Sequence, residues 1–135
     1  MPAVSAPTKP LSILIIDDDH FIRKNTSALL GHLGHRVLEA NGGEDGLRLL
    51  KEGHPRPEVV LLDWIMPGLG GKEVLLVLQR DYPQLPIIIT SGFAPGYGVP
   101  SNSTTIQEPL FLQKPYQGED LLALLGQLEA QRLIN

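Results

Sequence analysis

The chain has 135 residues, enough for one ordinary domain and too few for two. Hydrophobic residues make up 42% of it and charged residues 19%, as in globular proteins. The net charge of −4, without a basic cluster, argues against direct nucleic acid binding. Because cysteine is absent, disulfides, cysteine-ligated zinc and thiol catalysis are excluded.

Residues 1–10 lack the charged start and apolar core of a signal peptide, and they predict a flexible leader or the remnant of a linker. The longest apolar runs have about six residues, whereas a membrane span needs about 20, so no membrane insertion is expected. We therefore expect a cytoplasmic chain with one folded domain at residues 11–134.

The first predicted strand is an apolar, β-branched run at residues 11–16 that ends directly in acidic residues, Asp17, Asp18 and Asp19. Apolar residues at helical spacing follow it. Asp19 is placed to cap the amino end of this first helix, and Gly34 stands where its carboxyl end is expected.

The remaining elements continue to alternate between strand and helix. The further predicted strands are Arg36–Ala40, Val59–Asp63, Pro86–Thr90 and Leu110–Gln113, and the further helices are Glu44–Lys51, Lys72–Tyr82 and Gln117–Leu133. Between the fourth and fifth strands, residues 92–109 are rich in glycine and proline. A fourth helix there, around residues 102–107, is predicted to be short or irregular.

This alternation predicts an α/β fold, a doubly wound parallel (βα)5 sheet with helices on both faces. In the flavodoxin-like strand order 2-1-3-4-5, strands one and three are neighbours at the switch point where ligands bind. Asp17 and Asp18 follow strand one and Asp63 ends strand three, so this order brings three carboxylates to one edge. Thr90 and Lys114, at the ends of strands four and five, are expected beside them.

Three carboxylates at one edge repel one another unless a cation lies among them, and oxygen ligands favour Mg²⁺. Lys114 adds a positive charge and Thr90 a hydroxyl donor, which suit a phosphoryl group. Taken singly, each residue has an ordinary alternative as a helix cap, a strand-end hydroxyl or a solvated lysine. Their joint placement instead favours the chemistry of an aspartyl phosphate.

These motifs together resemble the receiver domain of bacterial two-component response regulators, including the chemotaxis regulators. The motifs are Asp17-Asp18, Asp63-x-x-Met66-Pro67-x-x-x-Gly71, Thr90 and Lys114-Pro115. The resemblance implies a phosphorylation-dependent signalling switch in a two-component or phosphorelay system, rather than an enzyme with turnover. It also implies that a histidine kinase or a histidine phosphotransfer protein donates the phosphoryl group.

The resemblance assigns a role to each site residue. Asp63 is the phosphoacceptor, and Thr90 and Lys114 contact the phosphoryl oxygens. The ligands of Mg²⁺ are Asp17, Asp18, Asp63 and the backbone carbonyl of Ile65. Thr90 and Phe111 form the switch, although a core phenylalanine is an equally good interpretation of Phe111. The Lys114-Pro115 peptide bond is expected to be cis.

Two residues depart from the family pattern. Ile65 is apolar where many relatives carry a polar group, which favours slow self-dephosphorylation, and Gly92 leaves water access to the site open. Trp64 is expected to be a partly exposed ring over the site. The histidines are interpreted as surface residues rather than ligands: His20, His32, His35 and His54.

A haloacid-dehalogenase-type phosphohydrolase is the alternative function, with Asp17 of an Asp17-x-Asp19 motif as its nucleophile. Against it, Phe21 stands where threonine or valine is expected, and no acidic pair follows a strand after Lys114. A degenerate receiver that only docks to partners is a third interpretation. For a receiver, we expect a downstream protein partner of unknown identity. The receiver would belong to a standalone regulator or to a hybrid histidine kinase, and a homodimer is also possible on the sequence.

Overall fold

The computed structural model describes residues 6–52, 56–92 and 109–131. Within them it has strands β1 (Ser12–Ile16), β2 (Arg36–Ala40), β3 (Val59–Asp63), β4 (Ile87–Ser91) and β5 (Leu110–Gln113). The helices are α1 (His20–His32), α2 (Gly43–Glu52), α3 (Gly71–Asp81) and α4 (Gly118–Ala130). The short helix predicted around residues 102–107 lies outside the described residues. No helix of the described part is long and apolar enough to cross a membrane.

All five strands form one parallel sheet in the order β2-β1-β3-β4-β5, which confirms the flavodoxin-like prediction. The central strands β1, β3 and β4 are buried along their whole length, as strands covered on both faces are. In the register of β3 and β4, Asp63 pairs with Thr90. The ends of these two strands are therefore level at the carboxyl edge of the sheet.

A hydrophobic core lies on each face of the sheet because successive strand residues point to opposite sides. On one face, α1 and α4 supply Leu30, Leu121 and Leu125 against Ile13 and Ile88. On the other face, α2 and α3 supply their own core residues, Leu50, Val74, Leu75 and Leu78. Burial on both faces holds the strands in place and thereby fixes the positions of the residues at their ends.

The prediction that Trp64 is partly exposed is wrong. Its side chain is only 7% exposed, in the core beneath α2 and α3. The backbone N–H of Trp64 donates a hydrogen bond of 2.9 Å to the carbonyl of Thr90, so the extended chain continues past Asp63. The two-residue alternation of β3 therefore turns the ring to the same face as Val60 and Leu62.

The prediction that every histidine lies at the surface is wrong for His35. This residue is buried, and its Nδ1 accepts a hydrogen bond of 3.0 Å from the backbone N–H of Leu11. A neutral imidazole thereby satisfies a buried backbone donor at the start of the chain's first strand. His20 and His32 are exposed, and His54 lies outside the described residues.

Candidate functional site

Three carboxylates meet at the carboxyl edge of the sheet. Asp17 follows β1 directly, Asp18 lies beside it, and Asp63 is the last residue of β3. One oxygen from each lies within 4.8 Å of those of the other two. Asp17 and Asp63 are buried, whereas Asp18 is exposed. The cluster is therefore open to solvent on the side of Asp18.

Lys114 bridges the two buried carboxylates. Its Nζ lies 3.1 Å from Asp17 Oδ2 and 3.2 Å from Asp63 Oδ1. Burial by itself lowers the pKa of Lys114, but the charges of Asp63 and Asp17 outweigh burial and raise that pKa above its ordinary value. The ammonium group is therefore a fixed positive charge within the cluster.

Asp63 is the acid most affected by its surroundings. Burial and then the charge of Asp17 raise the pKa of Asp63 from 3.8 to about 7, although the charge of Lys114 acts in the opposite direction. The carboxylate form is thus destabilised in the protein alone. A further positive charge at the edge would favour that form.

Hydrogen bonds hold the backbone N–H, the backbone carbonyl and the side chain of Asp17. Its N–H donates to the carbonyl of Ala40 at 3.1 Å, and its Oδ1 accepts a hydrogen bond of 2.8 Å from the N–H of Asp19. Its carbonyl accepts a hydrogen bond of 2.8 Å from the guanidinium of Arg23, which also pairs with Glu39 at 3.2 Å. These contacts fix one edge of the carboxylate cluster.

The role of Arg23 did not emerge from the sequence, although a signal is present. Arg23 shares the buried face of α1 with Thr26 and Leu30. A charged residue in an apolar stripe indicates a buried partner, and here the partners are the carbonyl of Asp17 and the carboxylate of Glu39. A second missed pair, Thr26 and Tyr116, has hydroxyl groups 2.7 Å apart.

The turn after β3 depends on a close backbone approach at Gly71. The N–H of Gly71 donates a hydrogen bond of 3.1 Å to the carbonyl of Trp64. A Cβ at position 71 would lie 2.6 Å from Trp64 Cα and 2.8 Å from the carbonyl oxygen of Asp63. Only glycine fits this distance without a shift in the backbone that carries Asp63.

The remaining predicted site residues surround the carboxylates at different depths. Thr90 is buried in β4 next to Asp63, whereas the side chain of Ile65 is 56% exposed. The peptide bond between Lys114 and Pro115 is cis. Phe111, the predicted switch residue, is half-buried and packs against the core beneath α2 and α3.

The carboxylate cluster has the donor set of a magnesium site. Its three side chains offer hard oxygen ligands, the type that Mg²⁺ prefers, and one of them is exposed to incoming solvent or ligand. The residues present therefore fit this ion, and Lys114 offers a charge complementary to an anionic group beside it.

Comparison with known families gives a match over most of the chain. The family model described as response regulator receiver domain matches residues 13–126. This stretch runs from β1 to α4 and includes all three carboxylates and Lys114.

Curated relatives match the chain over shorter stretches. The chain is 47% identical over 58 residues to the transcriptional regulatory protein AfsQ1 of Streptomyces coelicolor, covering 43% of this chain and 25% of that protein. It is 44% identical over 57 residues to the protein PilH of Pseudomonas aeruginosa, covering 42% of this chain and 46% of that protein. The matched stretches thus span less than half the length of these relatives.

Solved structures match over nearly the whole chain. A response regulator receiver domain protein from Clostridium thermocellum is 28% identical with a TM-score of 0.72, covering 90% of this chain and 95% of that one. A two-component transcriptional regulator AraC from Clostridium phytofermentans is 25% identical with a TM-score of 0.75, covering 91% and 95%. The chemotaxis protein CheY4 of Vibrio cholerae, at 23% identity and a TM-score of 0.72 over 93% and 100%, shares the fold.

Proposed function

The chain belongs to the response regulator receiver domain family of two-component systems, and from this we propose that it is a switch phosphorylated on Asp63. Receiver domains are signalling modules. The observation that carries the proposal is the position of Asp63, whose carboxylate lies 3.2 Å from Lys114 Nζ and within a three-carboxylate cluster. The raised pKa of Asp63 also supports a functional role, because strongly shifted pKa values are concentrated at functional sites.

The reaction is a phosphoryl transfer from a phosphohistidine of a histidine kinase or a phosphotransfer protein. A carboxylate oxygen of Asp63 forms a bond to phosphorus as the bond from phosphorus to the imidazole nitrogen breaks. The electron pair of that bond stays on the nitrogen, and a proton on the other ring nitrogen of the phosphohistidine lets the imidazole leave as a neutral group. The product on Asp63 is an acyl phosphate.

The residues around Asp63 prepare it for this attack. We assign Mg²⁺ to the carboxylates of Asp17, Asp18 and Asp63 and to the backbone carbonyl of Ile65. When bound, the ion supplies positive charge that offsets the crowded carboxylates and the phosphoryl oxygens. Lys114, already 3.2 Å from Asp63 Oδ1, donates to a phosphoryl oxygen.

The new dianion on Asp63 then acts as the signal. We assign the response to Thr90, whose hydroxyl turns to the phosphoryl group, and to Phe111, which shifts with the end of β5. The exposed side chain of Ile65 offers no polar group to orient water, and Gly92 has no side chain that could shield the phosphoryl group. We infer that Ile65 favours slow self-dephosphorylation, whereas Gly92 leaves the access of water to the phosphoryl group open.

We place the receiver domain at residues 11–134, after a leader of residues 1–10, in a cytoplasmic protein. It acts through a downstream protein partner, as a standalone regulator or as part of a hybrid histidine kinase. A phosphohydrolase that uses Asp17 as nucleophile has less support. Both carboxylate oxygens of Asp17 already have partners, Lys114 for Oδ2 and the N–H of Asp19 for Oδ1.

Labelling with acetyl phosphate and Mg²⁺ tests the phosphoacceptor. We expect the wild type to be labelled and Asp63→Asn to remain unlabelled. Asp81→Asn, which changes an exposed acid at the end of α3, is the matched control and should label like the wild type. Label that persists in Asp63→Asn would overturn the assignment and would favour the phosphohydrolase chemistry of Asp17.

The fluorescence of Trp64 tests the metal assignment, because this is the single tryptophan of the chain and directly follows Asp63. Its ring is buried, so an altered signal reports a change at the end of β3 rather than solvent contact. We expect Mg²⁺ to change the fluorescence of the wild type and beryllofluoride to change it again. An unchanged signal with both would count against a site assembled from these residues.

A further inference from the structure

Two hydroxyl groups, that of the buried Thr26 and that of the partly buried Tyr116, connect α1 to the segment that carries Lys114. Thr26 Oγ1 and Tyr116 Oη lie 2.7 Å apart, although 90 residues separate them in the sequence. Thr26 is 6% exposed on the inner face of α1, and Tyr116 is two residues after Lys114. Burial raises the pKa of Tyr116, so its hydroxyl stays protonated at neutral pH and can serve in this bond.

The same segment is held at two further points. The N–H of Lys114 donates a hydrogen bond of 2.7 Å to the carbonyl of Ser91 in β4. At the start of α4, Gly118 packs so closely on α1 that a Cβ there would lie 2.6 Å from Leu29 Cδ2. The segment between β5 and α4 is thus fixed to β4 on one side and to α1 on the other.

Apolar packing between these two anchors is incomplete. A cavity of about 170 Å³ lies between α1 and the segment, bordered by Phe21, Thr26, Lys114 and Tyr116 among other residues. Phe21 on its rim is 74% exposed and does not close it. The hydrogen bond between Thr26 and Tyr116 is therefore a direct polar contact between α1 and the segment beside a pocket that side chains leave unfilled.

We propose that Thr26 and Tyr116 are a positioning pair that holds the ammonium group of Lys114 against the phosphoacceptor. The pair acts through Lys114 and does not touch the reacting atoms. Its bond keeps the segment at the distance from α1 at which Lys114 Nζ reaches both Asp17 and Asp63. This inference rests on the proposed phosphorylation of Asp63, because the pair would increase the rate of that reaction.

Removal of either hydroxyl should weaken the site without removing a ligand. A neutral hydrogen bond corresponds to a factor of roughly 2 to 12 in an equilibrium constant. We expect Tyr116→Phe and Thr26→Val each to weaken beryllofluoride binding about threefold and to slow labelling by acetyl phosphate by a similar factor. The affinity for Mg²⁺ should change less than the affinity for beryllofluoride, because neither residue lies among the carboxylates.

Matched variants separate positioning from general destabilisation. Thr26→Ser keeps the hydroxyl and should restore wild-type beryllofluoride affinity, whereas Thr26→Val should not. Tyr82→Phe removes a tyrosine hydroxyl at the end of α3, remote from the site, and should behave like the wild type. An equal loss in Tyr82→Phe, or a loss of Mg²⁺ affinity in Tyr116→Phe that matches or exceeds its loss of beryllofluoride affinity, would overturn the proposal.

A double-variant cycle tests the route through Lys114. In a Lys114→Ala background, Tyr116→Phe should cause no additional loss of labelling rate, since the positioned group is already gone. A full and additive loss would overturn the proposal. If the wild type neither labels nor binds beryllofluoride, the proposed function itself fails. If the wild type does both and Tyr116→Phe matches it, only the positioning role fails.

Discussion

The replacement Asp63→Asn should stabilise the protein in the absence of Mg²⁺. In the wild type, burial and the charge of Asp17 raise the pKa of Asp63 from 3.8 to about 7, so its carboxylate form opposes folding at neutral pH. Asparagine removes this charge and keeps nearly the same shape. Its side-chain oxygen can still accept a hydrogen bond from Lys114, the cation that lies 3.2 Å from Asp63 Oδ1.

The size of this effect follows from the pKa of Asp63. A difference of about three pKa units corresponds to roughly 4 kcal/mol. Solvent reaches the cluster from the side of the exposed Asp18 and screens part of that energy, so we expect a gain of about 2 kcal/mol. For a chain of this length the gain corresponds to a rise in Tm of roughly 5–8 °C.

The pH dependence has a definite sign. Between pH 3.8 and about 7 the folded protein holds the proton of Asp63 and the unfolded chain has lost it. The free energy of unfolding of the wild type therefore falls as the pH rises through this range. The stability advantage of Asp63→Asn over the wild type should be near zero at pH 3.8 and should reach its full size above about pH 7.

Urea unfolding of both proteins in EDTA, at several pH values across this range, measures the difference directly. Addition of Mg²⁺ should then stabilise the wild type more than Asp63→Asn. The ion binds the folded state partly through the carboxylate of Asp63, which the variant lacks. If Asp63→Asn is no more stable than the wild type above pH 7, burial of an unfavourable charge at Asp63 is refuted.

Three further changes address the surroundings of the site. Gly71→Ala would bring a Cβ within 2.6 Å of Trp64 Cα, so we expect urea unfolding to show a loss of about 1–3 kcal/mol. Lys114→Ala removes the cation that lowers the pKa of Asp63, so that pKa should rise further in an NMR titration. Burial lowers the pKa of His35 below 6.5, so the stability advantage of the wild type over His35→Ala should shrink as the pH falls through and below that value.

Controls for these changes lie in the same chain. Gly42→Ala adds a methyl group that meets none of the described residues within 4 Å and should leave stability nearly unchanged. A comparable loss in Gly42→Ala and Gly71→Ala would contradict the steric explanation. Lys51→Ala removes an exposed lysine from α2 and should not move the pKa of Asp63 as Lys114→Ala does. A constant difference between wild type and His35→Ala across the titration would show that the pKa of His35 is the same in the folded and unfolded states, which would contradict its lowering by burial.

Much of the fold follows from local patterns in the sequence. Short β-branched runs alternate with helical spacing, and parallel strands need such crossovers. Acids that end apolar runs, such as Asp17 and Asp63, mark the carboxyl edge where the structure brings the carboxylates together. Asp19 caps α1 through its bond to the N–H of Ile22, as its position before that helix predicts.

Other features depend on contacts between residues that are far apart in the sequence. His35 has a buried role only because Leu11 lies beside it in the fold. The same holds for Thr26 and Tyr116, which meet after 90 intervening residues. Trp64 differs, since the alternation of β3 already indicates its buried face once the strand is extended by one residue.

The location of the phosphoryl group tests the central claim most directly. After reaction with acetyl phosphate and Mg²⁺, borohydride reduction converts an aspartyl phosphate to homoserine, which peptide mass spectrometry locates. Asp63 should be the converted residue, and Asp17 and Asp18 should remain unchanged. Conversion at Asp17, or no conversion at Asp63 in a chain that carries label, would contradict the account.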